Sequence, residues 1–138
     1  MKSFLDTNIF VYQLDSRDAR KQTIANALVR KSIADGNACI SYQVVQECLN
    51  VITRNAAVAL DSRAAQRYLD VVLAPLMGVP ASANLFHDGL ALQARYRFSF
   101  YDAMIVSAAL SAGCTRLYSE DLQHGQAIGA LTVVNPFL

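Results

Sequence analysis

Three observations predict an α/β domain in which helices cover both faces of a mainly parallel sheet. Short apolar segments alternate with longer segments of helical periodicity. Strand–helix–strand alternation implies right-handed crossovers between parallel strands. The chain has 138 residues with no repeat, low-complexity tract or linker, so residues 1–138 are read as a single domain.

The buried strands are expected at Lys2–Leu5, Ala38–Ser41, Arg116–Ser119 and Leu131–Val134, where short apolar segments occur. The stretch from about Arg17 to Ala34 is helical by propensity, although its apolar stripe (Ile24, Ala27, Leu28) is imperfect. After Ser41, a plausible N-cap, Val44, Val45, Cys48, Leu49 and Ile52 share one helix face. Ala65, Tyr68, Leu69 and Val72 repeat that spacing after Asp61, and Pro75, Gly78 and Pro80 end the segment. Leu85, Leu92 and Tyr96 mark a further helix. Phe100 to Ala112 is apolar on nearly every side, the pattern of a helix buried within a domain, and Gly113 is placed to end it.

Composition narrows the function. Hydrophobic residues make up 54% and charged residues 17%, which excludes a disordered chain. Twelve Lys and Arg against eleven Asp and Glu leave a net charge of +1, too little for non-specific grip on a nucleic-acid backbone. Any such contact has to be local, or helped by a metal ion or a second subunit. Cys39, Cys48 and Cys114 are read as small buried hydrophobes in a reducing compartment, and His87 and His124 form no zinc motif. Asp6 interrupts the first apolar run, and the long uncharged stretches contain Pro and Gly. The expectation is a cytoplasmic protein with no signal peptide and no membrane contact.

In parallel sheets, ligands bind outside the carboxyl ends of the strands. Asp6 directly follows the first strand there, and Glu120 and Asp121 follow the third. Glu47 lies in the second turn of its helix, about 60° from Val44 at 100° per residue. Asp102 opens the most apolar helix of the chain. Each acid has an ordinary reading: Asp6, Asp102 and Asp121 as parts of helix or turn caps, Glu47 as a solvated edge residue. Together they gather carboxylates where desolvation is costly and cations are few nearby. Converging carboxylates partly protonate unless a cation joins them, and an all-oxygen set without His or thiolate suits Mg2+ or Mn2+. Phosphodiester hydrolysis is the reaction class such a site serves.

The opening Phe4-Leu5-Asp6-Thr7-Asn8, the helix around Gln43-Val44-Val45-Gln46-Glu47, the run Ser99-Phe100-Tyr101-Asp102-Ala103-Met104-Ile105-Val106 and the segment Leu117-Tyr118-Ser119-Glu120-Asp121-Leu122 resemble the PIN-domain family, and within it the VapC-like ribonuclease toxins of bacterial type II toxin–antitoxin systems. The likeness spans essentially the whole chain, through Asn135-Pro136-Phe137. It implies a three-layer α/β/α sandwich around a mainly parallel sheet and an Mg2+- or Mn2+-dependent endoribonuclease. Asp6, Glu47, Asp102 and Asp121 match the family's acids, the last chosen because it stands two residues after Ser119. Glu120 is then a neighbour or alternate ligand. Thr7, Asn8, Ser119 and Glu120 are the groups expected to orient these carboxylates. The resemblance also implies an RNA substrate, a small cognate antitoxin and a homodimer.

Other residues are read more plainly. Arg95 and Arg97 precede the buried helix closely enough to approach a phosphate near Asp102. The basic residues Arg17, Arg20, Lys21, Arg30 and Lys31 read as a solvated helix face. Phe98, Phe100 and Tyr101 read as core packing rather than a base-stacking platform. The rival readings are a catalytically silent RNA- or protein-binding module of the same fold, a metal-free nuclease using the two histidines, and a phosphomonoesterase. Asn8, where the last of these needs a second Asp, counts against it.

Overall fold

A computed structural model describes residues 2–138. Six strands form one sheet in the order β3-β2-β1-β4-β6-β5. They are β1 (Ser3–Leu5), β2 (Ala38–Ser41), β3 (Met77–Val79), β4 (Arg116–Tyr118), β5 (Ala127–Ile128) and β6 (Leu131–Val134). All neighbouring pairs are parallel except β5 with β6. With its covering helices the sheet makes the α/β/α architecture expected from the sequence.

The chain leaves β1 toward β2 and β3 on one side, then returns to place β4 and β6 on the other. The strand order therefore reverses at β1, and the crevice beyond the carboxyl ends of β1 and β4 is where such a sheet binds its ligand. Phe4 of β1 lies in register with Cys39 of β2 and with Leu117 of β4. Phe4, Leu5, Ile40 and Leu117 are fully buried in this centre, so the loops that follow these strands start from a rigid base.

Side-chain caps start most of the helices. Asp6 caps α1 (Thr7–Leu14), Asp18 caps α2 (Ala19–Asp35), and Ser41 caps α3 (Tyr42–Arg54). Asp61 caps α4 (Ser62–Tyr68), which runs through a π-helical turn, Leu69–Leu73, into the short α5 (Ala74–Leu76). Pro75 explains that turn. It has no N–H for an α-helical bond, and the N–H of Ala74 reaches back instead to the carbonyl of Leu69. Ser82 caps α6 (Ala83–Tyr96) and Ser99 caps α7 (Phe100–Ser111). Gly89 lets α6 and α7 approach closely, since a Cβ there would stand 2.4 Å from Met104 Sδ.

The two edge strands, β3 and β5, are not among the strands expected from the sequence. Met77–Val79 carries the Gly and sits beside the prolines that read as helix terminators, and Ala127–Ile128 has only two residues. Tertiary pairing with β2 and β6 decides both. The helix from Phe100 is buried as expected from Ala103 to Ala109, but not in its first turn. Phe100 is 36% exposed and Tyr101 67%, which corrects their reading as core residues. Phe98 packs partly buried against the core. All three cysteines are free and buried. Among the described residues, no helix is long and apolar enough to cross a membrane.

Candidate active site

Asp6 is the first residue beyond β1, and its backbone N–H donates to the carbonyl of Tyr118 at the end of β4 (3.0 Å). The reversal point of the sheet is thus closed by one hydrogen bond between the two strand ends. The Asp6 carboxylate accepts from the Thr7 N–H through Oδ1 (2.7 Å) and from the Ser119 hydroxyl through Oδ2 (2.8 Å). Ser119 is fully buried, and its Oγ also accepts the N–H of Asp121 (3.1 Å). One hydroxyl therefore fixes Asp6 and the start of the Asp121 loop together.

Thr7 joins the second strand end to this centre. Its hydroxyl donates to Glu47 Oε2 (3.2 Å), while Gln43, one helical turn earlier on α3, donates to Glu47 Oε1 (2.6 Å). The same Gln43 amide donates to the carbonyl of Tyr101 (3.2 Å), tying α3 to the first turn of α7. Gln43 is buried and bridges two of the candidate elements. Its i, i+4 spacing from Glu47 is a signal the sequence carries, but it has force only once α3 and α7 are known to meet at Tyr101. On the other side, Asn8 Nδ2 donates to Asp121 Oδ2 (3.1 Å).

The electrostatics follow from this placement. Asp6 is 5% exposed, and burial pushes its carboxyl up to about 7. The hydrogen bonds from Ser119 and Thr7 oppose the rise, and the charges of Asp121 and Glu47 add to it. Partial burial also raises Asp102, with Ser99 opposing and Asp121 adding. Asp6 thus feels Glu47 and Asp121, and Asp102 feels Asp121, so the four acids share one field at the sheet's carboxyl edge. Among the described residues, none of the four has a Lys or Arg nitrogen within ion-pair distance.

Glu120 is placed differently. Its carboxylate accepts from Tyr12 of α1 (2.6 Å) and from Lys21 of α2 (2.6 Å). Burial raises its carboxyl, but these two hydrogen bonds outweigh that and hold it below its ordinary value. The side chain neutralises Lys21 rather than facing the other acids. Lys21 also sits 4.6 Å from the centre of the Tyr12 ring. Of the basic residues along this stretch, Lys21 is engaged within the fold and Arg20 donates to the carbonyl of Phe137 (2.5 Å), while Arg17, which pairs with Asp15 (2.7 Å), Arg30 and Lys31 are exposed, as a solvated face requires.

Arg95 and Arg97 are exposed. The Arg95 guanidinium lies 5.3 Å from the centre of the Tyr96 ring. It lines a groove of about 450 Å³ with Ser107, Leu110, Ile128 and Gly129, which none of the four acids lines. Gly129 belongs to the β5–β6 turn, at the amino edge of the sheet and opposite the acids.

The side chains present suit a hard divalent ion in their chemistry, offering carboxylate and amide oxygens and no His or thiolate. Asn8 Oδ1 is buried without a hydrogen-bond partner, and Asp6 carries a burial penalty that a cation would relieve. The acids nevertheless stand apart. Among the described residues, no group of three His, Cys, Asp or Glu side chains converges tightly enough to enclose a metal ion. Glu47 is held by Thr7 and Gln43, and Asp121 by Asn8.

A family model described as the PIN domain matches residues 3–127. No curated protein sequence matches the chain. Among solved structures, a toxin–antitoxin complex from Klebsiella pneumoniae is similar over 98% of both chains, at 19% identity and a TM-score of 0.67. VapBC2 from Rickettsia felis, bound to a DNA fragment from its promoter, is similar over 96% of this chain and 97% of its own, at 20% identity and a TM-score of 0.65. VapC20 from Mycobacterium tuberculosis, a toxin that cleaves the sarcin–ricin loop, is similar over 86% of this chain and 88% of its own, at 20% identity and a TM-score of 0.62. At these identities the likeness is one of fold.

Proposed function

The chain belongs to the PIN-domain family, and from that premise we propose that it is a divalent-metal-dependent endoribonuclease acting as the toxin of a type II toxin–antitoxin pair. One observation carries the reading. Asp6 is buried at the point where the sheet reverses, with no Lys or Arg nitrogen of the described residues within ion-pair distance and with Glu47 and Asp121 close enough to raise its carboxyl further. A purely structural cap has no need of that arrangement, because an Asn would cap α1 equally well without the burial penalty.

In this reading Asp6, Glu47, Asp102 and Asp121 would hold Mg2+ or Mn2+. When bound, the ion supplies Lewis acidity toward the phosphate oxygen and toward water. The chain's own groups do the rest. Ser119 and the Thr7 N–H fix the rotamer of Asp6, Gln43 and Thr7 hold Glu47, and Asn8 orients Asp121. One of these carboxylates would accept the proton of the attacking water as it adds to phosphorus in line with the leaving 3′-oxygen, which takes up a proton from solvent as it departs. The products are a 5′-phosphate and a 3′-hydroxyl, without use of the ribose 2′-hydroxyl.

The similar structures from Klebsiella and Rickettsia are toxin–antitoxin assemblies, which supports a small antitoxin as this chain's partner, with a homodimer and a cytoplasmic setting as parts of the same proposal. The deciding experiment incubates a bacterial RNA pool with wild type and Asp102→Asn in Mg2+, Mn2+ or EDTA. Cutting by wild type alone, abolished by EDTA, is the expected result. Cutting that survives EDTA or the substitution would overturn the reading, and no cutting by a folded wild type would favour the binding module.

A further inference from the structure

The first turn of α7 presents two aromatic rings beside Asp102, although the rest of that helix is buried. Phe100 and Tyr101 meet edge to face, with ring centres 5.3 Å apart. We propose that Tyr101, steadied by Phe100, is a stacking platform for an unpaired RNA base within one nucleotide of the phosphate that is cut. The proposal rests on the nuclease reading above and extends it to a residue that positions the substrate beside the acids.

Four features point to a base rather than to packing or to a broad protein contact. Tyr101 is 67% exposed as a residue, so the fold itself does not use most of its surface. Its backbone is anchored, because the Tyr101 carbonyl accepts from the buried Gln43 amide that also holds Glu47. The root of the ring is thereby fixed to the acid-bearing helix α3. A Tyr side chain has only two rotatable angles, and the edge-to-face contact with Phe100 restricts them, so ordering the ring costs little on binding. On a helix, Tyr101 stands about 100° around from Asp102. The ring therefore flanks the acid without covering it, as a group must if a phosphate is to reach the acid while the attached base stacks. Exposed aromatics hold single-stranded nucleic acid by stacking, since every base offers a π-face.

The test compares wild type, Tyr101→Ala and Tyr101→Phe on a single-stranded RNA oligonucleotide carrying a site that wild type cuts in a bacterial RNA pool. A second oligonucleotide has abasic residues on both sides of the cleaved bond. Tyr101→Ala is expected to raise KM by about 10-fold with a smaller change in kcat, while Tyr101→Phe, which keeps the ring, stays near wild type. The abasic RNA should cost wild type a similar factor and cost Tyr101→Ala almost nothing further. That non-additivity separates stacking from a structural effect. Cutting by Tyr101→Ala with wild-type KM, or equal abasic penalties in both proteins, would overturn the proposal and leave the nuclease reading intact, assigning the ring to a protein contact. Absence of cutting by wild type would overturn both. A further readout needs no catalysis. The chain has no Trp, so Tyr101→Trp is a unique fluorophore whose emission the intact RNA should quench and the abasic RNA should not.

Discussion

Replacing Asp6 by Asn removes a charge that the fold holds at a cost, so it should stabilise the protein while abolishing its chemistry. Asn fits the site. Its side-chain oxygen can accept the Thr7 N–H as Oδ1 does, and its amide can donate to Ser119 Oγ, which also accepts from Asp121; the Ser119 hydroxyl then loses Asp6 as its acceptor, a smaller cost than the charge penalty removed. Asn is also as good a cap for α1. The Asp6 carboxyl is raised from 3.8 to about 7 in the folded chain. The folded state therefore holds its proton over a range where the unfolded chain has released it, and stability falls as pH rises. The contribution of Asp6 is fully present below about pH 4 and lost by the time pH has passed about 7. A shift of about three units corresponds to about 4 kcal/mol. Urea unfolding in EDTA, followed by circular dichroism from pH 4.5 to 8, should show wild type losing stability relative to Asp6→Asn by an amount of that order. Partial burial of Asp102 acts in the same direction in both proteins and cancels in the difference. Mn2+ should then restore wild type at pH 8 and leave Asp6→Asn unmoved, since only the ionised carboxylate gains from the cation. Parallel stability curves for the two proteins across that range would refute the reasoning.

Three further outcomes are expected. Ser119→Ala removes a hydroxyl that donates to Asp6 and accepts from Asp121 in a fully buried position, so it should cost about 2–3 kcal/mol at pH 8, seen as a Tm lower by roughly 5–10 °C, and should reduce cleavage. Glu120→Gln should retain metal-dependent cleavage because that carboxylate serves Tyr12 and Lys21, whereas Asp121→Asn should lose at least about 100-fold in kcat/KM in the same assay. Gly89→Ala places a methyl 2.4 Å from Met104 Sδ between α6 and α7. The strain of about 1–3 kcal/mol should exceed the helix-propensity gain of about 1 kcal/mol, and a net loss should appear as a lower Tm.

What could be read from the sequence divides along a physical line. Elements fixed by local signals were legible: Ser41 and Ser99 cap the helices whose apolar faces follow them, and the four central strands are runs that are apolar whatever they pair with. Met77–Val79 and Ala127–Ile128 are strands only because β2 and β6 lie beside them, and three or two residues carry no periodicity of their own. The same line runs through the candidate site. Asp6 and Asp121 follow strands, and a parallel sheet brings strand ends to one edge, so their meeting at Ser119 was implied by topology alone. Glu120 and Asp121 are adjacent in sequence, and nothing local tells which turns inward. That choice is made by Lys21 and Tyr12, about a hundred residues earlier, which draw Glu120 away and leave Asp121 to Asn8. Tyr101 is the opposite case. The apolar run that follows it correctly predicts a buried helix, but burial begins at Ala103, where the helix passes under its neighbours. An aromatic in the first turn of such a helix reads as core by composition and stands in solvent by position. The error therefore falls at the carboxyl edge of the sheet, where the fold gives up packing to leave side chains free for a ligand.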